Sequence, residues 1–422
     1  MSEKIYWIWL SLAVTPGSLT FSKLISKFST AESIYRATED EIIRAIGSKS
    51  QDFKAVTDKS LERAESVFDF CARKGVGILT YDDDKFPSSL KKIATPPVLL
   101  YYRGVLPDFN SECFVSVVGT RRLTDYGRKN AFSIANDLSR AGAIIVSGMA
   151  VGVDGVALCG ALVGSGRSVA VLGSGIDVCY PEAHKTLARG IVKHGCVMTE
   201  YAPGTKPSKW NFPKRNRLIS GLSCATVVIE GADKSGAIIT ARYAREQERA
   251  LYALPGNVDI KTSEISNVLI KTGAKLVTDA YDIVSDFEFL YLGKLNPFRM
   301  AEPSGVRMFD CLREYEVACV TPSDDVFRTP KKRREKEIRE TVKEEYEITA
   351  DSTSVPEDRS AEIFDKWALE VYKRIPTDVE CDIEELVLDG EDVRTVMKAL
   401  LTLDMGNFVD MLPGEQVRRK RV

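Results

Sequence analysis

The residues best suited to chemistry in this chain lie in the run S-K-W-N-F-P-K-R-N-R-L-I-S-G-L-S, positions 208–223. Between Tyr201 and Ile229 no carboxylate occurs, while Lys206, Lys209, Lys214, Arg215 and Arg217 all fall there. Trp210 and Phe212 interleave with the cations, and Pro207 and Pro213 are expected to keep the stretch out of a regular helix. An unpaired nucleic acid calls for this mixture, with positive charge for its phosphates and flat rings on which its bases stack. The alternative is a basic surface loop whose two rings turn into the core. In an extended backbone Arg215 and Arg217, on either side of Asn216, would point to one side and hold adjacent phosphates. The competing expectation pairs them with carboxylates such as Glu200 or Glu230, where they would only hold the fold together.

Three glycine-bearing segments offer further ligand contacts. V-V-G-T-R-R (117–122) places Gly119 beside Arg121 and Arg122; the glycine allows close backbone approach and the arginines supply charge. S-G-M-A-V-G-V-D-G (147–155) begins with Ser147 and Gly148 and leads into a helical pattern, so its N–H groups and the helix N-terminus favour an anion. The third is L-G-S-G-I-D-V-C-Y-P (172–181). None completes G-x-G-x-x-G, and G-x-x-x-x-G-K-[ST] is absent, so each taken alone also reads as tight turn packing.

Other chemistries find little support. Nine cysteines form no C-x-x-C, and the only histidines are His184 and His194, so neither a zinc site nor a disulfide framework is expected. Neither histidine neighbours a serine or cysteine in a nucleophile motif. Glu200 and Glu230 end strands and suit either an acid–base pair or helix capping. The net charge of -2 gives no global pull on polyanions, so a nucleic-acid site must be a local patch. No apolar run approaches the roughly 20 residues of a membrane span, and a cytoplasmic protein is expected.

These residues need a scaffold. Apolar, β-branched runs at 113–119, 143–148, 168–173, 225–230 and 250–255 alternate with helical patterns at 126–141, 153–163, 184–193 and 237–249. Strands buried on both faces and separated by helices predict an α/β fold with a doubly wound, mostly parallel, Rossmann-like sheet. The expected organisation is a small N-terminal helical domain over 1–78, the Rossmann-like domain over 79–286, a charged linker over 287–360 and a winged-helix-like domain over 361–417. Residues 81–104 read as an extended connector. The linker contains K-K-R-R-E-K-E-I-R-E-T-V-K-E-E (331–345), best read as a solvated charge run. The last domain ends in a hairpin over 406–414, and its recognition helix offers only Arg394 and Lys398 as cations.

Together the motifs S-V-V-G-T-R, S-G-M-A-V-G-V-D, V-L-G-S-G-I-D-V-C-Y-P, F-P-K-R-N-R-L-I-S-G-L-S, V-V-I-E-G-A-D-K-S-G-A-I-I-T and A-L-P-G-N resemble, in order and spacing, the DprA/Smf family of DNA-processing proteins. The resemblance is specific over 80–285 and looser toward both ends. It implies a protein, not an enzyme and without a cofactor or metal, that binds and protects single-stranded DNA. It also implies help in loading the RecA recombinase during natural transformation or recombination, and a homodimer. By motif, Gly119, Arg121, Ser147, Gly148, Lys214, Arg215, Asn216 and Arg217 would face the DNA, with Arg122 and Lys209 beside them. Departures from the family pattern are His184 in P-E-A-H-K, Gln247-Glu248-Arg249, Ile265 and Val151. P-G-S-L (16–19) lacks the second glycine of a helix-hairpin-helix, so no DNA contact is expected from the first domain. The runner-up is a Rossmann-like nucleotide-processing enzyme of the phosphoribohydrolase kind. Those carry P-G-G-x-G-T, where this chain has only P-G-N-V-D (255–259).

Overall fold

A computed structural model describes residues 3–232, 235–301 and 306–320, and toward the C-terminus 366–376, 381–387, 396, 399–400, 403, 409–412 and 416–419. The chain divides into two compact units, Met1–Thr329 and Pro330–Val422. Among the described residues no helix is long and apolar enough to cross a membrane.

The first unit opens with six helices: α1 (Lys4–Ala13), α2 (Thr20–Phe28), α3 (Ala31–Arg36), α4 (Glu39–Ile46), α5 (Phe53–Thr57) and α6 (Glu62–Lys74). Local signals set their ends. Thr38 and Glu41 form a reciprocal capping box at the start of α4, and Gly75 takes the left-handed conformation that ends α6. Helix α1 buries Trp7, Ile8 and Leu10, and Trp7 packs against Phe21 and Tyr81. The helices expected as a domain over 1–78 share one continuous apolar core with the sheet that follows.

That sheet has nine strands: β1 (Gly77–Thr80), β2 (Leu99–Gly104), β3 (Phe114–Val118), β4 (Ile144–Ser147), β5 (Ser168–Val171), β6 (Cys196–Thr199), β7 (Ala225–Val228), β8 (Ala250–Ala253) and β9 (Lys275–Leu276). Between them run α7 (Ser88–Lys91), α8 (Asp125–Ala141), α9 (Val153–Gly164), α10 (Lys185–His194), α11 (Asn211–Leu222), α12 (Gly236–Glu246) and α13 (Glu264–Lys271), and α14 (Tyr281–Phe287) follows β9. The order is β1-β2-β6-β5-β4-β3-β7-β8-β9, parallel from β6 through β9. Every residue of β3, β4, β5 and β7 is buried, which is why they read as unbroken apolar runs. The strand order reverses at β3, and in such sheets ligands gather beyond the carboxyl ends near that reversal.

Two expectations change. Residues 81–104 are not only a connector: β2 joins the sheet antiparallel to β6, and β1 pairs with β2 at the edge. The linker expected from 287 is structured in its first part. A 3₁₀ turn spans Pro297–Ala301, α15 spans Met308–Glu314, and Cys311 and Leu312 are buried in the main core. The charge block 331–345 lies outside the described residues.

The second unit contains α16 (Lys366–Arg374) and a three-stranded antiparallel sheet of β10 (Cys381–Asp382), β11 (Val409–Leu412) and β12 (Gln416–Arg419), ordered β10-β12-β11. Val371, Ile375, Leu386, Leu400, Val409 and Val417 belong to its core. The expected hairpin is present as β11–β12, set a few residues further on. Arg394 and Lys398 lie outside the described residues.

Candidate nucleic-acid interface

The basic run is a helix, not an extended loop. Pro213 occupies the third position of α11, inside the first turn, where a backbone N–H has no intrahelical partner to lose. The expectation that Arg215 and Arg217 share one outward face therefore fails, because a step of two residues turns a helix through about 200°. Both side chains are buried, in different surroundings.

Arg217, 2% exposed, donates two hydrogen bonds to Glu200, 2.9 Å to Oε1 and 2.6 Å to Oε2, and its Nε donates to Thr95 Oγ1 at 3.1 Å. This bidentate pair is the scaffolding role, and it removes Arg217 from the expected DNA contacts. Arg215 reaches under the second glycine loop, donating from Nη1 to Gly148 O at 2.8 Å and to Val171 O. Burial pulls its guanidinium down to about 10, opposed by the nearby Asp154 carboxylate. A Cβ on Gly148 would sit 2.5 Å from Arg215 Nη2 and 2.7 Å from Asp154 Oδ2, so any side chain there would have to displace both. Gln247, one of the departures from the family pattern, braces the same helix: Nε2 donates to Arg217 O at 3.0 Å, and Ser220 Oγ donates to Oε1 at 2.7 Å.

The glycine loops are committed to each other. Ser147 and Gly148 are buried; Ser147 Oγ donates to Val117 O at 2.7 Å. The N–H groups of Gly148 and Ala150 donate to Asp154 Oδ2 at 3.1 and 3.4 Å, Val153 N donates to Thr120 O at 3.2 Å, and Gly152 N donates to Ala318 O at 3.1 Å. The anion expected at the start of α9 is thus already supplied by the chain's own Asp154, whose carboxyl is pushed up by burial. This corrects the reading of 147–155 as a phosphate cradle. Gly119 is held close by Val153, its Cβ position 2.6 Å from Val153 Cγ2. Thr120 N donates to Glu230 O at 2.7 Å. Glu230 is no acid–base partner of Glu200. Its carboxylate accepts from Thr124 N at 3.0 Å and from Thr124 Oγ1, at the residue that caps α8.

What faces outward is a smaller set. Arg121, Arg122, Lys206, Lys209 and Trp210 are exposed, Trp210 by 69%, while Lys214 and Asn216 are half-buried. Among the described residues none of these five cations takes part in a salt bridge. Two of them, Arg121 and Lys209, lie against rings. The Phe212 centroid lies 5.6 Å from the Arg121 guanidinium carbon and 5.9 Å from that of Arg215, and Lys209 Nζ lies 5.0 Å from the Trp210 ring. Tyr180, 43% exposed, tilts against Phe212 at 5.4 Å. Sequence reasoning missed Tyr180. Its signal was the C-Y-P ending of the third glycine segment, whose Gly173 packs flush on Phe212. The arrangement combines uncompensated positive charge with accessible aromatic faces at the carboxyl end of a parallel sheet.

Known proteins share this architecture. A family model described as DNA recombination-mediator protein A matches residues 77–288, the whole segment from β1 to the end of α14. The protein Smf of Synechocystis sp. is 35% identical over 281 residues, covering 65% of this chain and 70% of its own. DNA processing protein DprA of Streptococcus pneumoniae is 41% identical over 207 residues, 49% of this chain and 73% of its own. The X-ray structure of DNA processing protein A from Streptococcus pneumoniae matches with a TM-score of 0.60 at 31% identity, covering 68% of this chain and 99% of that one. The chain belongs to the family of DNA recombination-mediator protein A.

Proposed function

We propose that this chain binds single-stranded DNA over the carboxyl ends of β3, β5 and β6, and that it delivers the strand to a RecA-type recombinase without cutting or joining it. The carrying observation is the set of unpaired cations around exposed rings. Arg121, Arg122, Lys209 and Lys214 hold phosphates, with Lys206 at the margin, and Trp210 and Tyr180 take unpaired bases. Gly119, Ser147, Gly148, Arg215 and Arg217 serve as the frame behind them, and Asn216 lies between frame and surface. The recombinase partner, a pair of identical chains as the working unit, and a cytoplasmic setting rest on the family resemblance. A winged-helix role for the second unit rests on its helix and three-stranded sheet.

Fluorescence-anisotropy titrations with a labelled single strand and a duplex of equal length test the reading. Ring stacking requires unpaired bases, so the single strand should bind more tightly by at least about fivefold, one stacked base being worth roughly 1–3 kcal/mol. Equal affinity for duplex would refute it.

A further inference from the structure

The segment Tyr315–Val320 lies beyond the residues matched by the family model, yet it packs against the glycine loops behind the candidate interface. We propose that it is a strap that positions Arg121 and Arg122 for the strand. The inference rests on the DNA-binding reading above.

The anchoring begins in α15, where Cys311 Sγ lies 2.7 Å from Cys159 Sγ on α9. Tyr315 then covers Gly190 so closely that a Cβ there would sit 2.6 Å from its ring, and Thr186 Oγ1 donates to the Glu316 carboxylate. Two hydrogen bonds from Ala318 finish the docking: its N–H donates to His184 Nε2 at 3.0 Å, and its carbonyl accepts from Gly152 N at 3.1 Å. Because His184 Nε2 accepts, its proton resides on Nδ1 and is donated to Met149 O at 3.0 Å. Met149 is a non-glycine residue at φ +55°, a conformation that needs outside support. Val320 finally pairs in parallel with Arg122.

These ties converge on the arginine loop. Gly152 is pressed so hard against it that a Cβ would lie 2.4 Å from Thr120 O and 2.7 Å from Arg121 Cα. Holding Gly152 therefore fixes the backbone from which Arg121 projects, and the Val320 pairing fixes Arg122. Exposed arginines on a fixed backbone lose less freedom when they take up phosphates. The strap's bonds involve 122, 152, 184 and 186 and none of Lys206, Lys209 and Trp210, and Trp210 stays exposed. Positioning fits these contacts better than obstruction.

The test uses the full chain and a labelled oligothymidylate. Ala318→Pro removes the N–H that His184 receives, and His184→Ala removes its acceptor. Each should weaken strand binding by about three- to tenfold, leave the salt dependence of binding unchanged, and speed tryptic cleavage at Arg313. The double variant should bind no worse than His184→Ala alone, since that single change already breaks the Ala318 tie together with the bond to Met149 O. Val317→Ala, a milder change beside Gly155, should fall between wild type and these and remains folded if Ala318→Pro does not. Wild-type affinity in variants cleaved faster at Arg313 would overturn the proposal, as would tighter binding, which would mark the strap as inhibitory. Unchanged cleavage in both singles would also overturn it, since the tie would not hold the strap. Failure of the wild-type chain to bind the strand would instead defeat the functional reading.

Discussion

Replacing Arg217 by methionine gives the sharpest division between frame and contact. Its side chain and that of Glu200 are 2% and 5% exposed, joined by two charge-assisted bonds, with Thr95 taking a third. Methionine keeps much of the volume but leaves the Glu200 carboxylate buried without its partner. Breaking a buried pair in this way costs about 3–5 kcal/mol, a fifth or more of the roughly 5–15 kcal/mol that holds a typical domain together. The loss extends to the N-terminal helices, since Thr15, Pro16, Gly17 and Ser18 line a small cavity with Glu200, and Gly17 abuts Arg217 Nε. Urea unfolding followed by circular dichroism should show the drop. The double variant Glu200→Met/Arg217→Met should recover most of it, because an apolar pair of similar size avoids the desolvation of two charges. The folded fraction of Arg217→Met should bind single-stranded DNA within about twofold of wild type, as binding differences below 0.4 kcal/mol are expected where no contact is lost. An Arg217→Met protein with native unfolding behaviour and much weakened DNA binding would refute this reasoning and make Arg217 a phosphate ligand.

Trp210→Ala should weaken single-strand binding by about 5- to 150-fold, the value of one stacked base, while unfolding stays within about 0.5 kcal/mol of wild type because the ring is exposed. Gly148→Ala should lower the melting temperature in a thermal scan, since the methyl would meet both Arg215 and Asp154, an overpacking cost of about 1–3 kcal/mol. His184 gives a pH dependence. Burial holds its folded-state value below the ordinary 6.5, so the unfolded chain takes up a proton first. Its contribution to stability is complete above about pH 6.5 and is lost as the pH falls through the lower folded value, and this acid-side slope should flatten in His184→Asn when unfolding is measured from pH 7 to 5.

The sheet was legible because its central strands are buried on both faces and so appear as short apolar runs between helical patterns; β3, β4, β5, β7 and β8 fall within the expected segments. The antiparallel strands β1 and β2 were not, since they adjoin prolines and polar residues that also describe a connector. Pro213 misled for a different reason: its meaning depends on whether it stands in the first turn or the interior of a helix, and only the start of α11 at Asn211 decides that. The inward turn of Arg217 was posed as an alternative but could not be chosen, because Glu200 becomes its partner only once β6 and α11 pack together. Asp154, seven residues after Ser147, carried a readable signal: a carboxylate in the first turn of a helix caps its own loop and displaces an external anion. The strap was hidden by its surroundings, as the short apolar stretch V-A-C-V (317–320) sits beside a long charged segment.

If Arg121 and its neighbouring cations hold phosphates while Trp210 and Tyr180 hold bases, the salt dependence of single-strand affinity in wild type and in Arg121→Glu must show it. Each phosphate contact contributes about 0.7 to the slope of log K against log salt concentration for a single strand. Arg121→Glu, with native melting behaviour, should bind at least tenfold more weakly, a loss of about 1.4 kcal/mol, and lose about 0.7 or more from that slope. A native slope and affinity in folded Arg121→Glu would contradict that assignment.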